Sequence, residues 1–379
     1  MSLRILSVFG TRPEAVKMAP VVKELARTPG VEARVCVTAQ HRQMLDQVLD
    51  LFSIRPDYDL DLMRDDQTLA ALSAAIFTHL DPVLADFQPA WVLAQGDTTT
   101  VAITSLLSYY RRIRFGHVEA GLRTHDKWQP FPEEINRRIA GVTADLHFAP
   151  TEWARQNLLK EGVDDSLIKV TGNPVIDALN LVAAQPEPAE IADLLIRLHL
   201  ATSGLEVQQT RRLLLVTAHR RENFGQPLEE ICEALRQLAA RGDVEIVYPV
   251  HLNPNVQEPV KRLLGNVPHI TLLPPLDYLP LVHLMKRAHL ILTDSGGIQE
   301  EAPAFGVPVL VLREVTERPE GVAAGTLKLV GTDTRRIVEE ATRLLDDPAA
   351  HAEMAQASNP FGDGHAAERI VEALLQTSR

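Results

Sequence analysis

Short apolar runs alternate with longer segments of helical period along the whole chain, and that alternation limits the fold more than any other feature. The runs at residues 4–9, 33–38, 91–94, 114–118, 146–148 and 168–170 read as strands. A second series follows at 213–217, 244–248, 270–273, 290–293, 309–312 and 326–329, with helical patterns such as 68–87, 228–240 and 279–288 between strands. Uniformly apolar strands separated by helices predict parallel sheets covered on both faces. A length of 379 residues exceeds what one core accommodates, so two domains are expected. The stretch Gln185-Pro186-Glu187-Pro188-Ala189-Glu190 reads as the linker. The expected architecture is α/β, with two doubly wound domains facing each other across a cleft.

Composition narrows the function. A net charge of −12 argues against nucleic acid as a partner, which needs a broad basic face. A small anionic ligand stays possible, but the cations that bind it must then be clustered against the global field. No apolar run approaches the ~20 residues that span a bilayer. The N-terminus enters a strand directly, without the shape of a signal peptide. No membrane partner and a cytoplasmic location are therefore expected. Cys36 and Cys232 fall in different halves, which excludes a disulfide scaffold and a cysteine metal site. The histidines lack H-E-x-x-H spacing, and no metal is expected.

Open α/β sheets bind ligands at the carboxyl ends of their strands, and the candidate residues lie there. The segment Leu290-Ile291-Leu292-Thr293-Asp294-Ser295-Gly296-Gly297-Ile298-Gln299-Glu300-Glu301 reads as a buried strand, a Ser-Gly-Gly turn and a helix opening with two glutamates. Glycines allow a close backbone approach, and the helix N–H groups attract an anion, usually phosphate. A glutamate a turn further on would instead accept hydrogen bonds from ribose hydroxyls. A nucleoside diphosphate satisfies both.

Four other strand ends carry chemistry. Gly10-Thr11-Arg12-Pro13-Glu14 is followed by Lys17, and Arg12 and Lys17 admit a reading as an exposed basic pair. Gln95-Gly96-Asp97-Thr98-Thr99-Thr100 places Asp97 where it suits an N-cap as well as catalysis. Glu119 ends an apolar strand just before Gly121, a place hard to explain structurally. His219-Arg220-Arg221-Glu222-Asn223 is either a basic turn or a site. Pro132-Glu133-Glu134-Ile135-Asn136-Arg137 opens a helix, where acids often serve only the helix dipole. His117-Val118-Glu119 matches the H-x-E of zinc deaminases, but the P-C-x-x-C partner is absent. Neither G-x-G-x-x-G nor a P-loop occurs, so catalysis is expected to use side chains and the substrate's own leaving group, with no cofactor.

Taken in order, seven motifs resemble the non-hydrolysing bacterial UDP-N-acetylglucosamine 2-epimerases. They are Gly10-Thr11-Arg12-Pro13-Glu14-Ala15-Val16-Lys17, the Gln95–Thr100 and His117–Thr124 stretches, Pro132–Arg137, His219–Asn223, Asp294–Glu301 and Thr316-Glu317-Arg318-Pro319-Glu320-Gly321. The resemblance extends to Asn359-Pro360-Phe361-Gly362-Asp363-Gly364. It implies the GT-B architecture of two Rossmann-like domains. Residues 1–183 would form the sugar and acid/base side, joined by a C-terminal helix at about 365–379, and 184–364 the UDP side. It further implies interconversion of UDP-N-acetylglucosamine and UDP-N-acetylmannosamine by a cytoplasmic homodimer, without NAD or an obligatory metal, for cell-surface polysaccharide synthesis.

Carried over by motif, Asp97, Glu119 and Glu133 are the acid/base carboxylates. His219, with Arg12, stabilises the diphosphate, and Ser295, Gly296 and Gly297 seat it. Glu301 holds the ribose, Arg318 and Lys17 complete the binding shell, and Arg137 orients a carboxylate. The chain departs from the pattern at Leu276 and Leu281, where many members have Gln and Phe. Gln40-His41 matches the segment through which some members are activated by their own substrate, but Asp66 stands near the position of their arginine. The competing readings are a UDP-sugar glycosyltransferase, a hydrolysing epimerase and a silent UDP-sugar sensor.

Overall fold

The computed structural model describes residues 2–39, 42–64, 66–200 and 211–378. Gln40-His41 lie outside these described residues. The chain divides into two compact units, Met1–Leu181 with Phe361–Arg379, and Val182–Pro360. The first contains a seven-stranded sheet of β1 (Leu3–Phe9), β2 (Val31–Val37), β3 (Tyr58–Asp59), β4 (Trp91–Gln95), β5 (Arg114–Val118), β6 (Leu146–Ala149) and β7 (Ile168–Val170). The second contains β8 (Arg212–Thr217), β9 (Val244–Pro249), β10 (Ile270–Leu273), β11 (Leu290–Thr293), β12 (Val309–Val311) and β13 (Leu327–Leu329). All paired strands are parallel, in orders β3-β2-β1-β4-β5-β6-β7 and β10-β9-β8-β11-β12-β13. Each order reverses once, beside β1 and β4 in one unit and beside β8 and β11 in the other. These are the switch points at which doubly wound sheets bind ligands.

The strands are apolar because both faces are covered. Every residue of β4 is buried, as are all but the first of β5 and β8. In the second unit Leu214, Val216, Ile246, Tyr248, Leu292 and Leu310 share one cluster with the helix Gln226–Ala239. The two-residue β3 was not expected: it pairs only with the end of β2 and is too short to show a period. The stretch expected to be a linker at 185–190 is already entering a helix by its end, since Ala189–Arg197 is helical after Pro188. The expectation that no segment approaches membrane-spanning length is also corrected. The 19-residue helix Leu69–Phe87 is long and apolar enough to cross a bilayer by composition. In this fold Leu72, Ile76, Leu80, Val83, Leu84 and Phe87 pack it into the core of the sheet.

The helix Ala366–Thr377 belongs to the first unit, where it packs beside Arg12–Arg27. Its free N-terminal donors are met by a residue distant in sequence: Asp177 accepts from the N–H groups of Ala366 at 3.2 Å and Ala367 at 2.8 Å. The Trp91 indole donates to Ser378 Oγ at 2.8 Å.

Two imidazoles sit inside the first sheet, His117 on β5 opposite His147 on β6. Burial pushes His117 down from 6.5 to about 4 and His147 down from 6.5 to about 3. Unfolding lets both rings protonate near 6.5, so the unfolded chain takes up the extra protons as pH falls. Their contribution is therefore intact above pH 6.5 and is lost as pH falls through about 4 and about 3. Each is worth on the order of 3 kcal/mol at neutral pH. Thermal melts should show a midpoint that declines steadily below pH 6.5, and His147→Gln should flatten that decline whatever it does to the neutral-pH midpoint.

Candidate active site

The turn after β1 is built around a buried acid. Glu14 accepts from the N–H of Gly10 at 2.9 Å and of Thr11 at 2.7 Å, and from Thr98 Oγ1 at 2.6 Å. With Thr11 Oγ1 accepting from the Glu14 N–H, this is a capping box on the helix Arg12–Arg27. Burial raises the Glu14 carboxyl above its usual range, and the bonds from Thr98, Gly10 and Thr11 only partly offset it. Glu14 ties the ends of β1 and β4 together, a role not foreseen from sequence although the T-x-x-E spacing was its signal. Arg12 begins the helix, and its side chain has no ion-pair partner among the described residues.

Glu119 follows β5 with a left-handed backbone, φ 62°. It is 6% exposed, and its carboxylate meets Lys17 Nζ at 2.5 Å, Asn173 Nδ2 at 2.8 Å and the Gln95 amide. His117 bonds to the Gly96 carbonyl at 2.7 Å, fixing the turn that carries Asp97. Asp97 is not a helix cap. Thr98 caps Thr99–Arg111, and Asp97 Oδ2 instead receives Arg137 at 2.7 and 2.9 Å. Asn136 donates to the Asp97 carbonyl at 2.9 Å.

Arg137 and Asn136 come from the helix Glu133–Thr143, so this helix orients Asp97 as well as supplying Glu133. The two adjacent glutamates divide their work. Glu134 is fully buried and accepts from the N–H groups of Thr124 at 3.0 Å and His125 at 3.2 Å, with Arg137 at 3.2 Å. Burial pushes its carboxyl up, but the bonds from Thr124, Arg137 and His125 outweigh that and leave it below its usual range. Glu133 keeps one buried carboxyl oxygen, Oε2, without a hydrogen-bond partner.

The second unit centres on Asp294, fully buried after β11. Its Oδ2 accepts from the N–H groups of His219 and Arg220, both at 2.8 Å, and from Asn223 Nδ2 at 3.0 Å. Its Oδ1 lies 3.5 Å from His219 Nδ1. The His219 ring also stacks on His251, with centroids 5.4 Å apart. Burial lowers the His219 proton affinity, Asp294 raises it, and His251 and Arg220 lower it further, for a net reduction.

Ser295, Gly296 and Gly297 lie in the order expected, with the two glycines as the first residues of the helix Gly296–Glu301. A Cβ on Gly296 would sit 3.6 Å from Nη2 of both Arg220 and Arg318, and nothing lies within 4 Å of one on Gly297. Two guanidinium groups thus converge on this helix start. Arg318 is held by Glu300, which gives the first glutamate of the motif its role. Glu301 Oε1 accepts from Tyr278 at 2.9 Å. Leu276 and Leu281 are half-buried around that tyrosine's helix, Tyr278–Arg287. Asp66 is exposed, in a left-handed turn at φ 55°. Asp294, Arg220, Glu14, Glu134 and Asn173 were absent from the expected site residues. Asp294 and Arg220 lay inside quoted motifs, whereas Asn173 carried no recognisable signal.

The family model described as UDP-N-acetylglucosamine 2-epimerase matches residues 23–375 of this chain. UDP-N-acetylglucosamine 2-epimerase from Escherichia coli strain K12 is 57% identical over 373 residues, covering 98% of each chain. The Salmonella typhimurium enzyme of the same name is 56% identical over 373 residues, again covering 98% of each. The crystal structure of UDP-GlcNAc 2-epimerase from Neisseria meningitidis bound to UDP-GlcNAc is similar with a TM-score of 0.85 and 48% identity, over 98% of this chain and 100% of that one.

Asp294→Asn would turn an acceptor of three donors into a mixed group that presents N–H to N–H. A loss of about 2–4 kcal/mol is expected from urea unfolding. Because Asp294 raises the His219 proton affinity, NMR titration of the variant should find His219 protonating at lower pH than in the parent protein.

Proposed function

The chain belongs to the UDP-N-acetylglucosamine 2-epimerase family, a family of isomerases, and on that premise we propose that it inverts C2 of the sugar by eliminating and re-adding UDP. The observation that carries this reading is the set of three strand-end and helix-start acids in one unit, each in a different state. Asp97 is held by Arg137, Glu119 by Lys17, and Glu133 retains an unpartnered oxygen. A reaction that takes a proton from one face of a carbon and returns one to the other needs several acids with distinct surroundings.

The C2 hydrogen of the sugar is not adjacent to a carbonyl, so direct deprotonation is closed. The C1–O bond breaks first, its electron pair leaving with UDP and C1 becoming oxocarbenium-like. A carboxylate then takes the C2 proton, and the C–H electrons form the C1–C2 double bond of 2-acetamidoglucal. Protonation of C2 from the opposite face and return of the UDP oxygen to C1 complete the inversion. Atoms and charge balance without an oxidant, which is why no NAD is required.

Asp97, Glu119 and Glu133 carry the proton transfers. The departing diphosphate is stabilised by His219, Arg220 and Arg318 with the backbone at Ser295, Gly296 and Gly297, an electrostatic task. Glu301 takes the ribose. In this reading the first unit acts on the sugar and the second holds UDP, and the enzyme works as a cytoplasmic homodimer.

Proton NMR of the protein with UDP-N-acetylglucosamine in D₂O, with no cofactor added, should show UDP-N-acetylmannosamine carrying deuterium at C2. Free UDP with free N-acetylmannosamine would instead assign the hydrolysing reaction, and an unchanged spectrum would reject epimerisation. Glu133→Gln should lower kcat by about 10²–10⁴-fold with little change in melting midpoint, since it breaks no hydrogen bond at Oε2.

A further inference from the structure

The glycine-rich segment Asn359-Pro360-Phe361-Gly362-Asp363-Gly364 has no part in the chemistry above, yet its backbone is pressed against the turn that follows β7. The Phe361 carbonyl accepts the Asn173 N–H at 2.7 Å. Gly362 has φ 143°, and a Cβ there would lie 3.4 Å from Asn173 N and 3.5 Å from Gly172 Cα. Gly172 has φ 87°, and a Cβ there would lie 3.2 Å from Gly362 Cα. Only glycines let two backbones meet this closely in such conformations.

What this contact holds is Asn173, a side chain 1% exposed. Its Oδ1 accepts the Val175 N–H at 3.1 Å, which determines which end of the amide is oxygen. The other end, Nδ2, donates to Glu119 Oε1 at 2.8 Å. Glu119 needs such a partner. Its left-handed backbone is uncommon for a residue with a side chain, and such strain persists only where the surroundings over-determine it. Lys17, Gln95 and Asn173 approach its carboxylate from three different elements. Among the described residues, the charged and titratable groups beside it include Lys17 at 2.5 Å and His117, two residues earlier on β5.

We propose that Asn173, clamped by the Phe361–Gly362 backbone, is a positioning residue that fixes the Glu119 carboxylate for proton transfer. The inference rests on the reading of Glu119 as a proton-transfer group. It gives the glycine motif near the end of the chain a function in the chemistry through two hydrogen bonds: Phe361 carbonyl to Asn173 backbone, and Asn173 amide to Glu119.

The test compares kcat, KM and the pH profile of epimerisation for the full-length parent, Glu119→Gln, Asn173→Ala, Asn173→Asp and Gly362→Ala, with melts to identify temperatures at which each is folded. Loss of one donor to a charged acceptor predicts a kcat reduced roughly 10–100-fold in Asn173→Ala, with KM little changed. Asn173→Asp should be worse. It keeps the shape and the bond to Val175 but sets a like charge against Glu119, which also moves the acid limb of the profile to higher pH. Gly362→Ala should move kcat in the same direction although it touches neither carboxylate nor amide.

A merely structural turn gives the opposite order, with isosteric Asn173→Asp more active than Asn173→Ala, and that result would overturn the proposal. So would parental kcat and pH profile in both Asn173 variants while Glu119→Gln is inactive. An active Glu119→Gln, or a parent that does not epimerise, would instead remove the underlying reading of Glu119, and the inference with it.

Discussion

A carboxylate taken out of water among apolar strands must be met by hydrogen-bond donors, and that requirement shapes the strand ends and the helix start described above. Leaving such a charge unmet costs several kcal/mol, so the chain bends to supply partners. Glu14 gathers the backbone after β1 and reaches Thr98 after β4. Glu134 gathers Thr124 and His125, and Asp294 gathers His219, Arg220 and Asn223. Glu119 draws in Lys17, Gln95 and Asn173. In the first three the acid is scaffolding that fixes the backbone around it. In the fourth the acid itself is proposed to react. The two kinds are alike in composition and differ only in what their partners are.

The same logic resolves the apparent conflict between a net charge of −12 and an anionic substrate. Most site cations are committed to a neighbouring acid: Lys17 to Glu119, Arg137 to Asp97 and Glu134, Arg318 to Glu300. Such pairs orient the side chains and keep the local field modest until a ligand arrives. Arg12 and Arg220 have no ion-pair partner among the described residues, and both follow a strand at a switch point.

The sheet architecture was legible because parallel strands covered on both faces must be apolar throughout, and runs such as Trp91–Gln95 and Leu290–Thr293 have no other good reading. β3 escaped because two residues carry no period. Helix Leu69–Phe87 escaped as a long apolar segment because Thr78, His79, Asp81 and Asp86 interrupt its run without removing its overall hydropathy. At the candidate site, motif residues such as Asp97, Glu119 and Ser295 were legible as polar residues that follow strands. Their neighbours were not. Whether Asp97 caps a helix depends on Thr98 taking that place, and Arg137 reaches it from forty residues away. Asn173 finds Glu119 across a sequence separation of 54, through a contact that only the folded sheet creates.

The return of Phe361–Arg379 to the first unit also orders events during synthesis. The segment Val182–Pro360 is continuous and has all its strands as soon as it leaves the ribosome. The first unit, although made earlier, waits for its last helix until the other has been translated. Until then the face of Arg12–Arg27 that this helix covers is open, Asp177 has no helix end to cap, and the Asn173 N–H lacks the Phe361 carbonyl. A chain truncated before Phe361 would lack these three contacts.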